Sequence, residues 1–303
     1  MKQSNINFTS LILLLMLAAI VPIILTIDYP DKAILILSDD DFDNYDFAGS
    51  GTAEDPFLIE DLKITKEPKN EYMYAIKIFN TAKHFVIQNC RIEAYHGGIS
   101  LSQNANGTVK IINNYIYRCN AFNGLSVDNS DQVTIVNNSI EQSNFAISLS
   151  SSDNSIILNN TIYRNYVGVS LSYSNFVDVS KNNCNDNQWG LINSYSNNTS
   201  IISNHFFNSS IWWRVDPYYN GIGIEIVSGY YLKILNNTIS ENIRFGISAS
   251  DLHLSTISFN NISYNHLAIN YGYGIKFIDS NDNNITYNLI QENREYGIYL
   301  EHS

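Results

Sequence analysis

The sequence predicts an all-β solenoid: a single-stranded parallel β-helix with three strands per coil and about nine to ten coils. Three observations lead there. First, residues 124–145 (GLSVDNSDQVTIVNNSIEQSNF), 146–167 (AISLSSSDNSIILNNTIYRNYV) and 168–189 (GVSLSYSNFVDVSKNNCNDNQW) are consecutive ungapped copies of 22 residues, and self-similarity at a fixed period of this size marks a repeat architecture. Second, apolar residues inside each copy alternate with polar ones, as at Ile147, Leu149, Ile157 and Ile162. That is the period of a strand, not of a helix. Third, polar residues recur in columns between the apolar runs. Three such corners and three strands per coil describe a triangular tube whose rungs each add about 4.8 Å.

The copies extend in both directions from the central three. Their opening residues are Ala75, Gly98, Gly124, Ala146, Gly168, Gly190, Gly223, Gly246, Gly274 and Gly297, at intervals of 23, 26, 22, 22, 22, 33, 23, 28 and 23. Three coils therefore carry insertions. The repeated Ile-x-Asn-Asn-x-Ile run aligns Asn114, Asn138, Asn160, Asn182, Asn204, Asn237, Asn260 and Asn288, with Cys90 in their place in the first coil. Asparagine suits a left-handed corner, and its amide can bond to the same residue in the next rung. A partial column of Asn165, Asn187, Asn242, Asn265 and Asn293, and a serine column at Ser130, Ser152, Ser174, Ser196 and Ser280, mark the other corners.

The chain falls into three regions. Residues 1–27 hold a seventeen-residue apolar stretch, Leu11 to Ile27, broken by Pro22 and Thr26 and preceded by Lys2. They read as an export signal, cleaved or retained as a membrane anchor, which places the rest outside the cytoplasm or on the cell surface. Residues 28–70 differ in composition: a short strand, Ala33 to Leu37, then the run Asp39, Asp40, Asp41, Asp43 and Asp46, then a strand from Phe57 to Thr65. An exposed first coil needs a cover, so this block is the expected N-terminal cap. Its alternating acids suggest calcium, but Asn44 and Ser50 stand where an EF-hand loop wants Gly and Glu, and a solvated turn is the preferred reading. Residues 71–303 are the coils.

Charge and cysteine content narrow the partners. A net charge of −12 argues against nucleic acid and anionic membrane surfaces. Three cysteines do not make a disulfide framework, and Cys184, in an isoleucine position, is expected to be a small buried hydrophobe. Nine Asn-x-Ser/Thr sequons lie beyond the apolar segment and permit glycosylation wherever the host has the machinery. The chain is also expected to stop partway into a coil at Gly297–Ser303, an edge that self-association would cover.

The segment Gly49-Ser-Gly-Thr-Ala-Glu-Asp-Pro-Phe-Leu-Ile-Glu60, followed by coils of Asn-Asn-x-Ile and Gly-Ile-x-Leu-x-x-Ser, resembles the NosD-type β-helix proteins from about Ala33 onward. The resemblance implies a right-handed helix, secretion, and kinship with carbohydrate-binding and sugar-hydrolysing β-helix domains. The namesake proteins assist copper delivery to an exported reductase, but Met73 and the scattered His84, His96, His205, His253, His266 and His302 do not form the soft-ligand cluster copper wants. No metal site and no catalytic residue carries over.

The chemistry must then come from columns and insertions. Four residues after the asparagine column stand Arg118, Gln142, Arg164, Asp186, Asn208, Glu241, Tyr264 and Glu292. Arg164 and Asp186 fall on adjacent coils and, with Glu241, are the catalytic candidates, a surface ion pair being the simpler account. The longest insertion carries Trp212, Trp213, Arg214, Asp216, Tyr218 and Tyr219, and a second adds Tyr271 and Tyr273. Loops projecting from a solenoid often form its binding face, and aromatic rings with polar neighbours suit a sugar. The outward positions Ser100, Ser126, Ser148, Ser170 and Ser248, beside Ser102, Ser150, Ser172, Ser194 and Ser250, are expected to form a flat hydroxyl strip. The resulting expectation is a non-catalytic recognition protein for a glycan or cell-surface polymer. A polysaccharide lyase or hydrolase and a structural envelope protein are the alternatives.

Overall fold

The computed structural model describes residues 32–65, 74–93, 96–209, 221–265 and 272–303. The apolar leader and the aromatic insertion from Trp212 to Tyr219, together with Tyr271, lie outside them. The chain divides into Met1–Pro30 and Asp31–Ser303. In the second unit no described helix is long and apolar enough to cross a membrane.

Alternating sequence makes short strands, and asparagine- and serine-rich corners end most of them after three to six residues, Ile222–Tyr230 running to nine. The strands pair in parallel into three sheets. The first runs from Ile34–Ile36 to Tyr296–Glu301 and has 12 strands, counting the two-residue side strand Leu252–His253. The second (Phe57–Glu60 to Asn284–Thr286) and the third (Lys63–Ile64 to Leu289–Gln291) have 10 each. Ten coils are therefore complete and Tyr296–Glu301 opens another. The block expected as a cap itself supplies a coil: Ile34 pairs with Ile76, Phe57 with Phe85 and Lys63 with Arg91.

Equivalent residues of successive copies lie in register. Ile111, Ile135, Ile157, Val179 and Ile201 succeed one another along the second sheet, all fully buried. Cys184 sits between Ile162 and Phe206 in the third, also fully buried, and burial pushes its thiol far above the ordinary range. The glycine that opens each coil answers to space. A Cβ on Gly190 would lie 2.5 Å from the Gly223 carbonyl oxygen and 2.7 Å from the Phe206 ring.

The asparagine column is a buried ladder. The Asn138 backbone N–H donates to Asn160 Oδ1 at 2.9 Å, and Asn160 donates in turn to Asn182 Oδ1 at 2.9 Å. Each Nδ2 also donates to carbonyls, in Asn160 to those of Ile135 and Leu158 at 3.1 Å. The left-handed backbone expected at these asparagines falls one residue earlier, at Asn113, Asn137, Asn159, Lys181 and Asn236. The buried amide must point inward, so the preceding exposed residue turns the corner. Ser130, Ser152, Ser174 and Ser196 form a second ladder through Oγ acceptors, and Asn165–Asn187 and Asn242–Asn265 form a third.

The acidic run is a short 3-10 turn, Asp39–Asn44, that inserts Phe42 into the core against Phe57, with ring centroids 4.6 Å apart. Asp39 Oδ1 accepts from the Thr81 hydroxyl at 2.5 Å and the Ala82 N–H at 2.8 Å, and Asp41 Oδ2 accepts from the Leu37 N–H at 2.8 Å. These acids bind the chain's own donors.

Candidate functional site

Two outward faces collect the charged and aromatic residues. On the third sheet, Tyr117, Glu141 and Tyr163 stand in register on successive coils. The Tyr115 hydroxyl donates to Glu141 Oε1, and burial, reinforced by Glu141, pushes its pKa up to about 12. The corner beside this row brings Arg164 and Asp186 together at 3.7 Å. The Arg164 guanidinium lies 4.6 Å over the Tyr163 ring, and Asn208 Nδ2 donates to Asp186 Oδ1. Glu241 occupies the same corner beyond Asn208, since His205–Phe207 separates the strands of Asp186 and Glu241. Arg91, Glu93 and Arg118 continue the pattern toward the N-terminus. Glu93, Glu141 and Asp186 thus face an arginine, a tyrosine or an amide of this sheet or its corner, an arrangement suited to holding the face together.

The first sheet carries a different face. The residues just before each opening glycine or alanine read Phe145, Val167, Trp189, Ile222, Phe245, Tyr273 and Tyr296 in register, and of these Val167, Ile222 and Phe245 are buried while Tyr296 is exposed. The rings touch: Tyr166 meets Trp189 at 5.1 Å, Phe245 meets Tyr273 at 5.4 Å, and Tyr273 meets Tyr296 and Tyr299 at 5.4 Å each. Tyr273 was expected from sequence. Trp189, Phe245 and Tyr296 were not, although their place before the repeat's first residue could have found them.

Three residues further along each strand, the row reads Ser100, Ser126, Ser148, Ser170, Ile192, Glu225, Ser248, Lys276 and Tyr299. The expected serine strip thus holds over its first coils and gives way to charge beside the rings. Its companion row of serines also includes Asp128, whose carboxylate accepts from Ser102 at 3.2 Å. Glu225 is half-buried. Burial pushes its carboxyl up, an effect partly offset by the Trp189 indole N–H and the Arg244 guanidinium. Arg244 lies 4.7 Å and Lys276 Nζ 5.4 Å from the centre of the Phe245 ring. Burial, then Glu295, pushes the Tyr273 hydroxyl up to about 12. This face combines apolar rings, hydroxyls, two cations and a carboxyl inclined to hold its proton.

Among the described residues no three of His, Cys, Asp and Glu gather as metal ligands would. His253 uses both ring nitrogens on the protein: Nε2 meets Asp251 Oδ1 at 2.9 Å, and Nδ1 accepts from the Asn281 N–H at 3.1 Å.

Residues 218–303 match the right-handed β-helix region. The Dettilon tailspike protein is similar in structure, with a TM-score of 0.60 at 12% identity over 86% of this chain, which spans 54% of the tailspike chain. The A-module of the mannuronan C-5 epimerase AlgE4 from Azotobacter vinelandii has a TM-score of 0.55 at 15% identity, covering 81% of this chain and 80% of the module. At these identities the likeness establishes the fold, a right-handed parallel β-helix. No curated protein matches the sequence. Residues 47–219, more than half of the chain, match the family described as periplasmic copper-binding protein (NosD), and the chain belongs to that family.

Proposed function

We propose that this chain is an exported glycan-recognition protein that takes its ligand along the outward face of the first sheet. The observation that carries the reading is the aromatic row Trp189, Phe245, Tyr273 and Tyr296, interrupted by Ile222 and with Phe245 itself buried, beside Glu225, Ser248 and Lys276. Rings offer flat apolar surface to sugar faces, and the neighbouring polar groups meet the hydroxyls. The NosD family's description as periplasmic supports export. The epimerase module, whose name assigns it to mannuronan, shows that this fold can present a surface to a polysaccharide, although fold alone does not assign function.

Copper fits less well. The described histidines lie on different coils and corners, His253 is already engaged at both nitrogens, and Cys184 is sealed in the core.

Retention on a panel of immobilised polysaccharides tests the reading. Tyr296→Ala and Lys276→Ala should each weaken binding by about tenfold, equivalent to ~1.4 kcal/mol, and unchanged retention in both would refute this face. The raised Glu225 carboxyl favours a second reading, catalysis with Glu225 as general acid. New reducing ends or unsaturated products that disappear in Glu225→Gln would establish it. Retention without products leaves the binding module.

A further inference from the structure

The corner between the first and second sheets breaks the pattern the other coils share. In every described coil this corner needs a left-handed residue, and several coils supply cheap ones: Asn129, Ser151, Asn154 and Asn198. Between residues 173 and 254 the same places hold, beside Asn198 and Asp251, the bulky Tyr173, Phe176, Tyr195, Tyr231 and Leu254, with φ between 50° and 60°. Bulky side chains are disfavoured in that conformation. They are also exposed, between 46 and 59%, so burial does not compensate. Strain that persists without a packing return is a sign of function.

The patch contains a stacked pair, an arrangement that Phe259 and Tyr287 repeat at another corner with centroids 5.1 Å apart. Tyr173 and Tyr195 stack at 5.1 Å with planes 7° apart. The strand register carries their column to Ser151 on one side and Gly229 on the other, both too small to extend the stack. Asp153, Asn175 and Asn197, half-buried, lie between the two left-handed columns; Asp153 Oδ1 accepts from the Asn175 N–H at 2.6 Å and Asn175 Oδ1 from the Asn197 N–H at 2.8 Å, which leaves Asp153 Oδ2 and the remaining amide hydrogens beside the rings. The chain's charge of −12 disfavours an anionic bilayer at this corner.

We propose that this corner is a second saccharide subsite, separate from the aromatic row, in which a pyranose ring stacks against the Tyr173–Tyr195 pair at the Ser151 end while its hydroxyls meet Asp153 and Asn175. The ligand class rests on the reading above; the site does not.

The test replaces the pair with residues its own sister coils use at this place. Tyr173→Ser with Tyr195→Asn is compared with the wild type and with Tyr296→Ala from the aromatic row. Each is run in affinity electrophoresis through a neutral β-glucan and a polyuronate, with melting temperature and light scattering in parallel. The subsite requires the corner variant to melt no lower than the wild type and to lose at least fivefold in retention by one of the polymers. Unchanged retention in the corner variant overturns the proposal, and so does a lower melting temperature with unchanged retention, which would make the rings packing elements. A wild-type dimer abolished by the corner variant overturns it in favour of self-association. Loss in the corner variant with none in Tyr296→Ala keeps the subsite and removes the aromatic row. The reverse removes the subsite alone, and a wild type retained by neither polymer removes both.

Discussion

A buried asparagine in the ladder serves four partners at once, for Asn160 Nδ2 also donates to Asn182 Oδ1 at 2.9 Å. Asn160 Oδ1 accepts from Asn138 at both N and Nδ2, and Asn160 Nδ2 bonds to the Ile135 and Leu158 carbonyls. Removing the amide strands those groups away from water, at about 1–3 kcal/mol for each one left unsatisfied. Asn160→Ala should therefore cost roughly 3 kcal/mol or more in urea unfolding, far above a surface substitution. Protonation acts at the same scale. At Asp39, burial works to raise the pKa, but the Thr81 hydroxyl, the Ala82 N–H and Lys83 prevail and lower it. Its stabilisation is complete above the unfolded value and is lost as pH falls through the lower folded one. Glu225 has the opposite sign. Its folded pKa is raised, so the stability it contributes below the unfolded value is lost as pH rises through the folded one. Glu225→Gln should thus melt higher than the wild type at pH 7 and equal to it at pH 3, and a lower melting temperature at pH 7 would show the assignment to be wrong.

At the scale of the strand and its corner, inward positions are fixed by the core and outward ones by whatever the surface does. Phe176 turns a corner at φ 57° while more than half exposed. Phe176→Asn should raise stability by about 1 kcal/mol, the order of the left-handed penalty that asparagine reduces, and thermal melting checks this. The same division explains what could be read from sequence. Ile135, Ile157 and Asn138, Asn160 repeat because every coil must bury the same shape, so their columns were visible in the letters. The pairing of Arg164 with Asp186 came from the same counting. The ring row did not stand out, because outward positions drift from Asn123 to Phe145 to Trp189 without penalty and only registration on one face unites them. The left-handed residue was misplaced by one for a related reason: composition shows that a corner is rich in asparagine, but which of two adjacent asparagines turns it depends on which one is buried.

For the whole unit, each coil rests on its two neighbours, and stability is close to a sum of coil and interface contributions. The interior coils are closed on both sides, whereas Leu289, Ile298 and Leu300 are about half exposed at the last rungs. Amide exchange should accordingly be slowest from Ile135 to Ile201 and fastest from Leu289 to Glu301, the low-stability end of the unit. Uniform protection along the rod would contradict additive coils.

Equal spacing also makes the chain divisible. Residues 146–167 begin and end at equivalent points of the repeat, so excising them joins Phe145 to Gly168 and lets Asn138 meet Asn182 as it now meets Asn160. A protein built this way can lose or gain a unit by a single splice, leaving every surviving residue with a neighbour of the same kind and sliding one working surface past another by a fixed step.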